Sequence, residues 1–172
     1  LCVIDNGRGM DGEDLRSEMN EMFSSGKTQS REDNYGIGAK VAALTQNPLG
    51  LVYQIWKDGK GYLGTLCKHP TSGKYGLRQE PNEDGSTGSY TQVDSKFRPD
   101  YKHCKIQDHG CKVTLLGSAE EEDTFIAPEG SSHGVNWLAR YLNSRYYKLP
   151  EEIDLKVIWH SQNNEDGTPK YL

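Results

Sequence analysis

The chain has 172 residues, enough for a core of its own, and a formal net charge of −5 at pH 7. That modest acidity gives no general electrostatic case for binding nucleic acid or a membrane surface. Hydrophobic residues make up 34% of the chain and mean hydropathy is −0.81, yet the apolar residues fall in periodic runs, which excludes disorder for most of the length.

In chain order, Cys2 to Ile4 is predicted as a buried strand. Asp11 caps a predicted helix running to about Phe23, with Leu15, Met19 and Met22 on one face. Ser24-Ser25-Gly26-Lys27 ends that helix with a glycine suited to a C-terminal cap. Thr28 to Asn34 is polar and charged and reads as a mobile loop. Ile37 to Leu44 reads as a short helix with small residues for close packing. Leu51 to Lys57 and Tyr62 to Lys68 are two strands joined by Asp58-Gly59-Lys60-Gly61, a hairpin signal. Thr71 to Gly110 is rich in turn residues and reads as long loops around one or two short strands, with Tyr90 and Val93 as the hint.

Lys112 to Leu116 alternates and is a strand. His133 to Tyr147 is a helix whose Trp137, Leu138, Tyr141 and Leu142 are expected to pack in the core. Leu155 to His160 is a final strand, followed by a turn at Asp166-Gly167. Interleaved strands and helices with hairpins predict an α+β fold: a two-layer sandwich, its sheet mixed but mostly antiparallel, with helices on one face. Residues 1–172 are read as a single domain.

Cys2, Cys67, Cys104 and Cys111 contain no C-x-x-C pair and read as cytosolic thiols. His103-Cys104 and His109-Gly110-Cys111 match no common structural zinc spacing. With no signal peptide and no apolar run of membrane length, the expected setting is the cytoplasm, with no membrane partner.

Two glycine motifs carry the chemistry. In Asp5-Asn6-Gly7-Arg8-Gly9-Met10 a short apolar strand runs into a carboxylate and then into glycines that let a flat ring approach the backbone. An ionised carboxylate only accepts hydrogen bonds, so it suits the exocyclic amino group of adenine and repels the carbonyl of guanine. Met10 supplies a polarizable wall. The alternative for this segment is an ordinary Asp-Asn-Gly turn. In Tyr35-Gly36-Ile37-Gly38-Ala39-Lys40, glycines ahead of a helix present backbone N–H groups to an anion, with Lys40 and Lys27 as nearby cations. Neither a Walker loop nor a complete G-x-G-x-x-G is present.

These two motifs, with Ser24-Ser25-Gly26-Lys27 between them and Gly110-Cys111-Lys112-Val113-Thr114-Leu115 after them, resemble the ordered boxes of the GHKL ATPase superfamily. That superfamily includes gyrase B, the ninety-kilodalton heat-shock chaperones, histidine kinases, MutL and the MORC proteins; the chain looks closest to the MORC and heat-shock-chaperone branch. The resemblance implies a Bergerat-like sandwich holding ATP and Mg2+. It puts Asp5 on the adenine amino group, Gly7, Gly9 and Met10 along the base, and Gly36, Ile37, Gly38, Ala39, Lys40 and Lys27 on the phosphates. Cys111 falls where the family usually has threonine beside the adenine-binding aspartate; the alternative is a small buried strand residue. The family's catalytic glutamate and magnesium-holding asparagine sit on a helix before the first box, so the chain is expected to be a fragment lacking that helix, with no catalytic residue of its own. The resemblance also implies a nucleotide-driven switch and a homodimer in the full-length parent. The competing expectations are a histidine-kinase-type ATP-binding domain and a binding module of the same fold without turnover.

Overall fold

The computed structural model describes residues 1–20, 42–82, 84–101, 104–121, 123–127, 129–131, 136–146, 148–163 and 169–171. They belong to two compact units, Leu1–Thr124 and Phe125–Leu172. The predicted elements at Met22, Phe23, Ser24–Lys27, residues 28–34, Gly36–Lys40 and Asp166-Gly167 lie outside the described residues.

The first unit contains β1 (Cys2–Asp5), α1 (Gly12–Asn20), α2 (Leu44–Gln46), β2 (Leu51–Lys57), β3 (Lys60–Lys68) and β4 (Tyr75–Leu77). After them come β5 (Glu80–Pro81), β6 (Thr87–Gly88), β7 (Thr91–Val93), β8 (Asp100–Tyr101), β9 (Cys104–Lys105) and β10 (Gly110–Leu115). A six-stranded sheet runs in the order β1-β10-β2-β3-β4, with β7 pairing on the same edge of β3. Every pairing among the described residues is antiparallel. The class is therefore α+β around an antiparallel sheet, and no parallel component of the expected mixed sheet is seen among the described residues.

Alternation in β2 sets the two faces. Leu51, Tyr53 and Ile55 are buried on one side, whereas Val52 and Gln54 are half-buried on the other. Leu66 and Cys111 join the first set, and Leu15 of α1 and Leu44 of α2 close over it. α1 lies chiefly on β3 and β4, and α2 on β3. The close approach of α1 depends on Gly64, where a Cβ would stand 2.8 Å from Leu15 Cδ2. Full burial of a leucine side chain is worth about 1.5–3 kcal/mol, so this one contact anchors a short helix.

The β2–β3 hairpin turns through Asp58 and Gly59 alone, at φ 52° and 74°. Two successive positive φ values make the twist-matched two-residue turn of antiparallel hairpins. Lys60 and Gly61, expected in the loop, are instead strand residues paired with Lys57 and Trp56. Between β3 and β10 the expected one or two strands are six short ones, two pairs of which form separate two-stranded sheets. Turn side chains hold them: Asn82 Nδ2 donates to Ser86 Oγ at 2.9 Å and Asp94 Oδ1 accepts from Lys96 N at 2.8 Å. β1 also departs from its predicted burial. It is an edge strand of the described sheet, and Val3 is 54% exposed.

The second unit contains α3 (Trp137–Arg145), β11 (Ile158–Asn163) and β12 (Pro169–Tyr171), the two strands paired antiparallel. β11 begins three residues beyond the predicted start at Leu155. Trp137 Nε1 donates to the Phe125 carbonyl at 3.0 Å, and the two rings are 5.5 Å apart between centroids.

Candidate functional site

Register places the acidic end of β1. Asp5 faces Cys111, Cys111 faces Ile55, and Ile55 faces Tyr62, one residue from each of β1, β10, β2 and β3. Antiparallel partners project to the same side, so Asp5 belongs to the face on which α1 and α2 stand. Those helices lie chiefly on β3 and β4, and at the β1 end of the face Asp5 is exposed and so is Val3, its neighbour on the same side. A carboxylate thus lies at the rim of a helix-flanked, otherwise apolar surface.

The glycine turn folds back on the strand ends. Gly7 N donates to Asp5 Oδ1 at 3.0 Å, which closes a local turn and leaves the carboxylate with further acceptor capacity. Gly9 has φ 63°, and a Cβ there would overlap the Trp56 carbonyl oxygen and crowd Gly110 N at 3.0 Å. Only glycine fits that contact. Met10 is partly buried against the core cluster. The segment is thus an Asp-Asn-Gly turn, and the bare backbone of Gly9 packs on the chain's own strand end at Trp56.

α1 then starts under tight control. Asp14 N donates to Asp11 Oδ1 at 2.8 Å, and Asp11 N to Asp14 Oδ2 at 3.2 Å, a reciprocal capping arrangement. Lys57 Nζ reaches both carboxylates, at 3.1 Å from Asp11 Oδ2 and 2.6 Å from Asp14 Oδ2. The Asp14 N–H, and after it Lys57, hold the Asp11 carboxyl below its ordinary range; Asp14 and Asp11 in turn raise Lys57. On the same helix Glu13 accepts from Tyr90 Oη at 2.8 Å and from Arg16, and both contacts lower its carboxyl.

Cys111 is buried, and burial first, then the Asp5 charge, pushes its thiol up to about 12. It is a weak hydrogen-bonding group and no nucleophile at neutral pH. Burial likewise moves Tyr53 up to about 12.

Of the predicted site residues, the structure brings together Asp5, Gly7, Gly9, Met10 and Cys111 around the β1 end. Lys27, Gly36, Ile37, Gly38, Ala39 and Lys40 lie outside the described residues. No family model, curated protein or solved structure matches this chain. Among the described residues no group of three or more His, Cys, Asp or Glu could hold a metal ion, and no helix is long and apolar enough to cross a membrane. A polar surface cleft of about 560 Å³ lies elsewhere, with Glu13, Arg16, Tyr62 and Tyr90 in its lining; Asp5 and Cys111 take no part in it.

Sequence reasoning missed Lys57, which sits forty-odd residues from the turn it serves (43 from Asp14 and 46 from Asp11). Nothing local marks a strand-end lysine as a partner. The Asp11-x-x-Asp14 spacing was the half of the clamp that could be read.

Proposed function

We propose that this chain is the ATP-binding domain of a GHKL-type ATPase with a Bergerat-like fold, acting as a nucleotide-driven conformational or dimerisation switch. One observation carries the reading: Asp5 and Cys111 are cross-strand partners on the helix-bearing face, with the Gly7–Met10 turn folded beside them. The family resemblance assigns both residues to the base, and the register pairs them across β1 and β10.

The chemistry of the residues around Asp5 supports an adenine ring as the ligand. Asp5 accepts from the exocyclic amino group and repels the oxygen that guanine carries at that place. Gly7 lets the ring approach backbone and Met10 closes one side, whereas the bare backbone of Gly9 packs on the Trp56 carbonyl oxygen and sets the path of the turn. The Cys111 thiol supplies a weaker second contact than a hydroxyl would. The phosphates are assigned to Lys27 and Gly36–Lys40 by the resemblance alone. The described residues offer Mg2+ no ligand set of three or more His, Cys, Asp or Glu, so the phosphates would hold the ion. The weak thiol contact favours a second reading, a nucleotide-binding module of the same fold without turnover, which keeps the adenine site unchanged.

Calorimetric titration of the chain with ATP, ADP and GTP tests the shared part of both readings. Adenine nucleotides should bind and GTP should not, and Asp5→Asn should weaken ATP by about tenfold or more, because an amide presents the wrong group or an unpaired one. Equal binding of ATP and GTP, or an unchanged affinity in Asp5→Asn, removes the adenine role.

A further inference from the structure

Two consecutive residues at the end of β2 hold the glycine turn in different ways. Trp56 acts through backbone: its carbonyl oxygen occupies the space that a side chain at Gly9 would need. Lys57 acts through its ammonium, which lies between Asp11 Oδ2 and Asp14 Oδ2 at 3.1 and 2.6 Å. The turn is therefore fixed at its head by Asp5 and Gly7 and at its tail by Lys57, with the strand end as the common base.

Removing the ammonium would leave two carboxylates crowded at the first turn of α1, held together only by each other's backbone N–H. Their repulsion acts locally. The three groups are roughly one-third to one-half exposed, a setting in which ion pairs add little to global stability. The consequence of this clamp is thus geometric more than thermodynamic.

Building on the adenine-site reading above, we propose that Lys57 is a positioning residue, which sets the height of the Gly7–Met10 turn beside Asp5 and so tunes affinity for the adenine base without contacting it. A residue that acts this way affects every ligand sharing the base, whatever its phosphate count.

The test is to titrate the wild-type chain, Lys57→Met and Lys57→Arg with ATP, ADP and adenosine, with thermal melts alongside. Lys57→Met should weaken all three ligands by the same factor, about tenfold, with little change in melting temperature. Lys57→Arg should restore most of the affinity, because a guanidinium can bridge both carboxylates. Wild-type binding that is equalled by Lys57→Met overturns the inference and leaves the adenine site standing. A loss confined to ATP makes Lys57 a phosphate ligand and overturns it too, as does a loss that tracks thermal stability. Absence of binding in the wild type removes the inference together with the reading beneath it. Should Lys57→Met fail to fold, Asp14→Asn takes its place: weakened binding of all three ligands supports the clamp, and unchanged binding overturns it.

Discussion

α1 and α3 are both nine residues long, and they use their apolar residues in opposite ways. α3 carries Trp137, Leu138, Tyr141 and Leu142 at helical spacing, yet none is fully buried and Tyr141 is 54% exposed. α1 carries only Leu15 and Met19, yet Leu15 is fully buried. Periodicity names the face a helix would bury, but the receiving surface decides whether it does. For Leu15 that surface is a notch at Gly64 in the middle of a sheet. The two helices differ at their starts as well. Asp11 and Asp14 cap α1 from their side chains, whereas Asn136 makes no side-chain cap at α3.

The largest expected effect on this contrast comes from emptying the notch. Leu15→Ala should cost about 2–5 kcal/mol of stability, measured by urea unfolding. Filling the notch from the other side is expected to cost less. Gly64→Ala places a methyl 2.8 Å from Leu15 Cδ2 and 3.2 Å from the Ser89 carbonyl oxygen, an overpacking worth about 1–3 kcal/mol, read in the same assay. If Gly64→Ala is neutral, α1 is not seated as tightly as the geometry requires.

pH sharpens the difference between the two helix starts. The Asp11 carboxyl is lowered from 3.8, so its contribution is present above that value and is lost as pH falls through the depressed folded one. Lys57 is raised from 10.5, so its contribution is complete below that value and is lost as pH rises through the elevated one. Amide exchange of the first turn of α1, corrected for intrinsic rates, should therefore be flat across the neutral range and accelerate at both extremes. The start of α3, which lacks such a cap, should show no matching response. The smallest effect is reserved for α3: Tyr141→Ala should shift stability by no more than about 0.5 kcal/mol, despite removing one of the helix's large side chains.

Much of the fold was legible because its signals are local. Alternation over Leu51–Lys57 and Lys112–Leu115, the Asp58-Gly59 turn and the cap at Asp11 all lie within a few residues of what they specify. The ladder of two- and three-residue strands between β3 and β10 was not legible, since strands that short display no period. The burial of β1 was misjudged for a related reason: Cys2–Ile4 is apolar enough for a core strand, but its place at the edge of the described sheet follows from pairing, which composition does not encode. At the site, Asp5, Gly7 and Gly9 could be singled out by residue type and spacing. Cys111 could be singled out only through the family resemblance, and the hold of Lys57 on Asp11 and Asp14 needed the chain folded.

The chain has three tryptophans, and one of them, Trp56, has its ring wholly enclosed against Gly61, beside Val93, with no hydrogen-bond partner for Nε1 among the described residues. An indole in such dry surroundings emits at shorter wavelength than one in water, and its emission responds to any change in local polarity. With Trp137 and Trp159 replaced by phenylalanine, Trp56 becomes an intrinsic optical gauge of the β2–β3 hairpin and its contact with β7, without an attached dye.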